Sequence, residues 1–346
     1  MTQEKTDQTT VDTGRATGRK ELLFKAGAYM SLALLIGSAF LSVMANVAGW
    51  KLITSFFVVV MWVSLPCYFV FAVLGIGSGI RGWPGRLFLA VTFFPLMLFI
   101  SLAFSLIMAD GLYIDKAAVF KVLTSHFIRD ALQLSIVTSI TTVAIALVFA
   151  IPMGYALSRY RFPGHMLADT IVDIPIVFPP LVAGLTLLVF FSETGVGRWI
   201  QEDMGLEFVF QPKGIVLCQF VVSASFAIRS IKSAFDDVDR RLENVALTLG
   251  YTQWGSFFRV SLPMASGGIM AGAILTWARA FGIFGPLMIL VGSFRGKTEV
   301  LSTTIFLEQS VGNLEVALAV ALLLIFVALI ALMTIRLVGG KVLVKL

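Results

Sequence analysis

The sequence predicts an all-α protein that crosses a membrane many times. Hydrophobic residues make up 58% of its 346 residues and charged residues only 13%, and the mean hydropathy is +0.94. A soluble domain would carry about 25% charged residues. A helix needs roughly 20 apolar residues to cross a bilayer, and runs of that length recur along the chain. We therefore expect a polytopic bundle of about eight transmembrane helices.

The apolar runs can be followed in order along the chain. They occupy residues 26–48, 52–80, 87–109, 131–157, 171–191, 214–230, 264–292 and 314–336. The run at 52–80 is long and contains Pro66, which predicts a kink. The run at 214–230 is short, and it spans a bilayer only if the helix extends towards Ser233. An even number of spans places both termini on the same side.

Lysine and arginine residues orient these spans. With a cytoplasmic N-terminus, the cytoplasmic segments carry 17 of them and the outer segments carry 8, while Arg279 lies within a span. Because basic residues accumulate in cytoplasmic loops, this ratio predicts that both termini are cytoplasmic. The same bias accounts for the pI near 9.4, which therefore does not indicate a nucleic-acid partner.

Three regions follow from composition and charge. Residues 1–22 are polar and rich in threonine, which predicts a disordered cytoplasmic tail, and no apolar core of a cleaved signal peptide follows a short basic start. Residues 23–110 would hold additional N-terminal helices. Residues 111–340 would form a second transmembrane domain with a cytoplasmic loop at 235–263. Within it, residues 116–123 predict a short surface helix before the fourth span.

Cysteine and histidine, which often bind metals or act in catalysis, are sparse, so we expect no catalytic residue, metal site or cofactor in this chain. The cysteines Cys67 and Cys218 both lie in apolar runs, and the histidines His126 and His165 are too far apart to suggest a metal site. No complete nucleotide-binding loop of the pattern Gly-x-x-x-x-Gly-Lys-Ser/Thr occurs in the sequence. The chain therefore cannot energise transport by itself.

The loop residues 243–263 form the most informative stretch, because a polar segment in so hydrophobic a chain predicts a docking element. Three apolar residues at helical spacing predict one face of a short helix: Val245, Ala246 and Leu249. Gly250 is suited to a left-handed helix end, and Pro263 to the first turn of the next helix.

These residues resemble the cytoplasmic "EAA" loop of ABC importer permeases, in which glutamate, small residues, glycine and a final Leu-Pro recur at fixed spacing. The matching positions are Glu243, Ala246, Leu249, Gly250, Leu262 and Pro263. Asn244 and Val245 depart from the pattern, because the family favours alanine there.

The flanking segments are similar to those of the molybdate, tungstate and sulfate permeases. The similarity is carried by residues 156–169, 171–191 and 276–292. One departure is Ile283, which stands where these permeases commonly have glutamate. The resemblance covers about residues 120–340 and leaves residues 1–110 unassigned.

The resemblance implies the inner-membrane permease subunit of an ATP-driven ABC importer for a small oxyanion, with five or six spans forming the permease core. It further implies three partners: ATPase subunits that bind ATP and Mg and dock on the loop, an extracytoplasmic substrate-binding protein, and a second, identical permease subunit. Glu243 would lie at the start of the docking helix and interact with the helix dipole and cationic partners. The alternative for Glu243 is a solvated residue in the first turn of a helix.

A further set of residues is expected along the translocation pathway or its gate, each with a packing alternative. The set consists of Pro179, Pro180, Arg279, Gly282, Phe284 and Gly285. Proline interrupts a span, and broken helices line substrate paths in transporters, although a simple kink is the alternative. The glycines allow close helix packing, with a gate as a second role.

Arg279 has two interpretations that the sequence leaves open. It would attract or pass an anion, or it would be a structural cation that pairs with Asp173 or lies near the cytoplasmic boundary. With Ile283 one turn away, it has no carboxylate partner at that position of its own helix.

Two alternatives to an oxyanion permease stay open at this point. Permeases for other small cargo, such as ferric iron or thiamine, share the loop. A membrane scaffold that has lost transport is a different class of protein. A secondary transporter would have no need of the docking loop and normally carries more ionisable residues within its spans.

Overall fold

The computed structural model describes residues 83–343, which form helices and no strand. The chain divides into two compact units, Met1–Ile114 and Asp115–Leu346. The predicted tail at 1–22 and the predicted spans at 26–48 and 52–80 lie outside the described residues. In the first unit, α1 (Trp83–Tyr113) covers the predicted run at 87–109.

The second unit is a bundle of α-helices joined by short turns. Its helices are α2 (Lys116–Thr124), α3 (His126–Arg159), α4 (His165–Val177), α5 (Pro180–Glu193), α6 (Gly195–Glu202), α7 (Pro212–Asp236), α8 (Arg240–Thr248), α9 (Gln253–Met264), α10 (Ser266–Phe281), α11 (Gly285–Leu290), α12 (Leu301–Ser310) and α13 (Leu314–Leu343). The helix expected at 116–123 is α2, and Asp115 caps its N-terminus through a hydrogen bond from the backbone N–H of Lys116.

Four of the described helical stretches are long and apolar enough to cross a bilayer, and two bent helix pairs raise this number to six if each is one span. The four stretches are Val91–Tyr113, His126–Arg159, Pro212–Asp236 and Leu314–Thr334. The bent pairs are α4 with α5, at 108°, and α9 with α10, at 67°. An all-α membrane bundle is therefore confirmed.

Three predicted boundaries change in the structure. The run at 171–191 is divided into α4 and α5, because the chain bends at Pro179 and Pro180. The run at 264–292 is not one span, since α10 ends at Phe281 and a separate short helix, α11, follows. The run at 214–230 extends to Asp236, as its length required.

Small residues let the central helices α3, α7 and α10 approach closely. A Cβ atom on Gly268 of α10 would lie 2.2 Å from the Cβ of Ala234 on α7. A Cβ atom on Gly154 of α3 would lie 2.9 Å from the Cγ2 of Ile231. Helices in membranes associate through such close packing, because lipid offers no hydrophobic driving force between them.

A buried hydrogen-bond network joins the same three helices. Gln219 of α7 accepts a hydrogen bond from the Thr142 hydroxyl of α3 at 2.8 Å and donates to the Ala280 carbonyl of α10 at 3.1 Å. Its side chain is almost fully buried, so these partners replace water. The network fixes α10 against α3 and α7.

Candidate functional site

The predicted loop at 235–263, here called the coupling segment, is ordered and largely helical. Helix α8 begins after Asp239, whose carboxylate accepts a hydrogen bond from the backbone N–H of Arg241 at 2.9 Å. This side-chain cap satisfies one of the free N–H groups at the helix start. The segment then turns at Gly250 and continues through α9 into α10.

Gly250 ends α8 as the sequence predicted. Its φ angle is +89°, in the left-handed region that a residue with a Cβ adopts only with strain. Its N–H donates to the Leu247 carbonyl at 3.0 Å, and the N–H of Tyr251 donates to the Ala246 carbonyl at 3.1 Å. This pair of bonds is the Schellman arrangement, which satisfies carbonyls at the helix end.

Glu243 is directed into the protein, so its interpretation as a solvated residue is wrong. Its carboxylate accepts hydrogen bonds from Arg159 Nε at 2.7 Å, from the Ser261 hydroxyl at 2.8 Å and from the Tyr155 hydroxyl at 3.2 Å. The side chains of Arg159 and Glu243 are only 6% and 13% exposed. Arg159 also donates to the Val238 carbonyl at 2.9 Å. The carboxylate thus ties α8 to α3 and α9.

The apolar residues of the coupling segment divide between two faces. Ala246 is 5% exposed and packs inward, which corrects the prediction that it shares a face with Val245 and Leu249. The outward residues of α8 form an apolar surface, here called the coupling patch, made of Leu242, Val245 and Leu249, while Trp254 and Phe258 are also exposed and line a separate cavity against α3. Each is at least 41% exposed, and Leu249 and Trp254 reach 74% and 73%.

The second half of the segment contains an unusual helical turn. Residues Phe257–Ser261 form a π turn, in which the Leu262 N–H donates to the Phe257 carbonyl. Pro263 follows in the short turn Leu262–Met264, where its missing N–H is tolerated. Pro263 therefore completes α9, and α10 begins only at Ser266. Trp254 stacks on Phe258 with ring centroids 5.9 Å apart.

An ionic cluster that the sequence analysis missed joins α4 to α7. Arg229 binds Asp169 at 2.8 Å and also pairs with Asp173, and Lys232 binds Asp169 at 3.1 Å. The pairing of Asp173 with Arg279, one of the alternatives left open for Arg279, is therefore wrong. A signal for this cluster was present in the sequence. Asp169 and Asp173 lie four residues apart at the start of one apolar run, and Arg229 and Lys232 lie three residues apart at the end of another, so each pair shares one helix face.

Arg279 lies on the exposed side of α10. Its guanidinium carbon is 5.5 Å from the centroid of the Phe226 ring, and it makes no ion pair with any described residue. Ile283 cannot serve as a partner, because its aliphatic side chain carries no charge; it is 7% exposed within an apolar cluster with Cys218 and Leu287. Arg279 is thus a cation that lacks a carboxylate partner within residues 83–334, on a membrane-length helix pair.

The predicted break at Pro179 and Pro180 is confirmed by the 108° bend between α4 and α5. The glycines beyond α10 behave differently from each other. A Cβ on Gly285 would lie 3.1 Å from the Leu181 side chain, which confirms close packing, whereas Gly282 ends α10 and lies in more open space. Phe284 packs against the Phe306 ring of α12 at 5.3 Å.

A second ionic cluster lies at the opposite end of α3. Glu308 of α12 accepts hydrogen bonds from Arg295 at 2.8 Å, Asn313 at 2.9 Å and Lys121 at 3.5 Å. Burial acts to raise the pKa of Glu308, but the Asn313 bond and the two cations outweigh it and hold the pKa below its usual value. Burial raises the pKa of the neighbouring Glu299, whose side chain is also buried.

Comparison with known proteins gives the following matches. The family model of the binding-protein-dependent transport system inner membrane component matches residues 146–342. The chain is 39% identical over 176 residues to the molybdate/tungstate transport system permease protein WtpB of Thermococcus kodakarensis, covering 51% of this chain and 66% of that protein, just under two thirds. It is 34% identical over 206 residues to the molybdenum transport system permease protein ModB of Escherichia coli K12, covering 59% and 90%.

A sulfate transport system permease protein, CysT of Escherichia coli K12, is 31% identical over 221 residues, covering 64% of this chain and 79% of that protein. Among solved structures, a bacterial alginate ABC transporter in complex with an alginate pentasaccharide-bound periplasmic protein matches with a TM-score of 0.58. The identity is 19%, with 78% of this chain and 98% of that chain covered. At this identity the structural match shows the fold alone.

Proposed function

The chain belongs to the family of binding-protein-dependent transport system inner membrane components, and we propose that it carries a small oxyanion as the permease subunit of an ATP-driven importer. Its part is translocation, and ATP hydrolysis resides in a separate subunit. The observation that carries this proposal is the coupling segment, in which a buried ion pair holds an apolar patch outward.

The cargo is proposed from the relatives. Three curated relatives are named for molybdate and tungstate, molybdenum, and sulfate, and their identities to this chain lie between 31% and 39%. These cargoes share the chemistry of a compact tetrahedral dianion. We therefore propose molybdate, tungstate or sulfate as the substrate.

The coupling patch is the proposed docking site for the ATPase subunits. Buried carboxylate contacts fix α8 on α3 and α9, so a push on the patch would be transmitted to the bundle rather than absorbed by a loose loop. The residues proposed for coupling are Glu243, Ala246, Leu249, Gly250, Leu262 and Pro263. Glu243 and Gly250 shape the segment, and Leu249 contributes to the patch itself.

The remaining partners complete the proposed assembly. An extracytoplasmic binding protein would deliver the anion, a second identical permease subunit would close the pathway, and ATP with Mg²⁺ would bind the ATPase subunits. Both termini would be cytoplasmic, which is supported by the Lys/Arg distribution. The pathway is proposed to involve the break at Pro179 and Pro180, Arg279, and the turn formed by Gly282, Phe284 and Gly285.

Uptake measurements on the complete complex test the cargo. Proteoliposomes would hold the permease, its cognate ATPase and ATP, with the binding protein outside. We expect ATP-dependent accumulation of molybdate, tungstate or sulfate. Uptake of only ferric iron or thiamine would show that the cargo is one of these instead of an oxyanion. A complex that binds its ATPase yet carries none of these solutes would favour the alternative of a membrane scaffold that has lost transport. Affinities of the binding protein for the same solutes provide an independent check.

A further inference from the structure

We propose that Arg279 is the anion-attracting residue of a polar groove between α7 and α10, and that the oxyanion moves along this groove past Arg279. This inference rests on the proposed function, because it assigns the residues that the anion would meet. It requires that the groove faces water, that Arg279 is its free positive charge, and that the charge suits a divalent anion.

The groove is built from one face of each helix. On α10, Ala271, Leu275 and Arg279 follow one another at four-residue spacing, and all three are exposed. On α7, Ser230 and Ser233 lie on the facing side, three residues apart. Residues at these spacings lie one above another on a helix, so each face forms a continuous stripe.

A cavity of about 550 Å³ occupies the space between these stripes. Its lining includes Phe226, Arg229, Ser230, Ser233 and Leu275, with Asp237 at its far end, and Arg279 lies just outside this lining. Phe226 also contacts the guanidinium of Arg279, so the cavity and the arginine are adjacent. The Ser233 hydroxyl offers a hydrogen bond to an anion, whereas the Ser230 hydroxyl already donates to the Gly268 carbonyl of α10 at 3.1 Å.

The position of Arg279 requires water or an anion beside it. Helix α10 is about 24 Å long, and Arg279 lies roughly 20 Å from its first residue. A bare cation costs about 2.5–3.5 kcal/mol at the centre of a span on insertion scales, and charged residues within spans therefore face a bundle interior or an aqueous cavity. Arg279 is exposed within this chain and has no ion-pair partner among the described residues.

Arg229, the arginine that lines the cavity itself, is not available to an anion. Two carboxylates, those of Asp169 and Asp173, already pair with it, and repulsion from them would oppose a second anion. Ile283 supplies no counter-charge, so Arg279 has no carboxylate partner in the part of the chain that the structure describes. If two identical subunits face each other, two such arginines supply a charge of about +2, which complements a dianion.

Uptake by the complete complex tests the residue. Arg279→Gln is expected to reduce oxyanion uptake at least about tenfold, while Arg279→Lys, which keeps the charge, retains most of it. Wild-type uptake by Arg279→Gln would overturn the inference. A loss in Arg279→Lys equal to that in Arg279→Gln would also overturn it, because it would show a shape requirement rather than a charge. If the wild type carries no oxyanion, the proposed function fails instead.

Thiol labelling tests the groove without relying on uptake. In a background with Cys67 and Cys218 replaced by serine, Leu275→Cys lies one turn from Arg279 and is 52% exposed as leucine. We expect the cysteine at position 275 to react with water-soluble thiosulfonates. Adding Arg279→Gln should lower the ratio of its reaction rate with an anionic reagent to that with a cationic reagent about tenfold. Val148→Cys, at an apolar position 71% exposed on α3, should react slowly. An unchanged ratio, or labelling at 275 no faster than at 148, would overturn the inference.

Discussion

Replacing Glu243 with alanine is expected to loosen α8 without unfolding the bundle. The wild-type carboxylate receives three side-chain hydrogen bonds, from Arg159, Ser261 and Tyr155. Alanine removes all three and leaves the Arg159 guanidinium, which is only 6% exposed, without its counter-charge. The loss falls on α8, because Glu243 is its link to α3 and α9.

The size of the effect follows from the burial of the pair. Removing one partner of a buried ion pair costs roughly 3–5 kcal/mol. Arg159 keeps its bond to the Val238 carbonyl, so the lower end of this range applies, about 3 kcal/mol. At 1.4 kcal/mol per factor of ten, the ratio of detached to docked α8 rises by about 100-fold.

Hydrogen exchange with mass spectrometry measures this change in the full chain in lipid nanodiscs. Amides of α8 should exchange up to about 100-fold faster in Glu243→Ala than in the wild type, and those of α7 at an unchanged rate. Asn244→Ala is the matched control, because Asn244 is the exposed neighbour of Glu243. Equal α8 exchange in Glu243→Ala and the wild type would refute the role of the buried pair.

Three further substitutions test the structure in thermal unfolding. Gly250→Ala should lower the free energy of unfolding by about 1–2 kcal/mol, because alanine is strained at a φ of +89°. Gly195→Ala is the control and should lower it less, because Gly195 has no positive φ and open space around it. Equal losses in the two variants would contradict the left-handed cap. Gly184→Ala should lower the free energy of unfolding by about 1–3 kcal/mol, since the added Cβ would lie 2.6 Å from the Cα of Pro286. An unchanged free energy of unfolding would contradict this close approach. Glu308→Gln should destabilise at neutral pH by about 1–2 kcal/mol. Because the pKa of Glu308 is lowered in the folded protein, its ionised carboxylate stabilises the fold at pH values above the ordinary glutamate pKa. The difference in stability between Glu308→Gln and the wild type should therefore vanish as the pH falls through the lowered pKa. A difference that persists in acid would contradict the role of the ionised carboxylate.

Helix positions were predictable where a long apolar run stood alone. The helix α3 and the extended α7 follow from run length, and the end of α8 follows from Gly250, because only glycine readily adopts the left-handed conformation. The bend at Pro179 and Pro180 was also visible, since proline breaks the helical hydrogen-bond ladder. Its angle of 108° depends on tertiary packing and was not predictable.

The site was predicted in outline but not in its contacts. The sequence placed Glu243 at the start of a helix, but which cation it meets depends on how α3 packs beside α8, 84 residues apart in the chain. The same applies to Asp173, which was one possible partner for Arg279 and pairs with Arg229 instead. Local spacing gives the face of a helix but not the neighbour across from it, so long-range ion pairs could not be assigned.

The coupling patch is tested most directly by ATP-driven oxyanion uptake in Leu249→Asp, with co-purification of the cognate ATPase measured on the same preparation. Leu249 is 74% exposed, so the substitution places a charge on the patch without disturbing the core. Val311→Asp, at a 65% exposed apolar position in the turn between α12 and α13, is the matched control. We expect Leu249→Asp to lose both ATPase binding and uptake, and Val311→Asp to keep ATPase binding. Wild-type binding and uptake in Leu249→Asp would contradict the account.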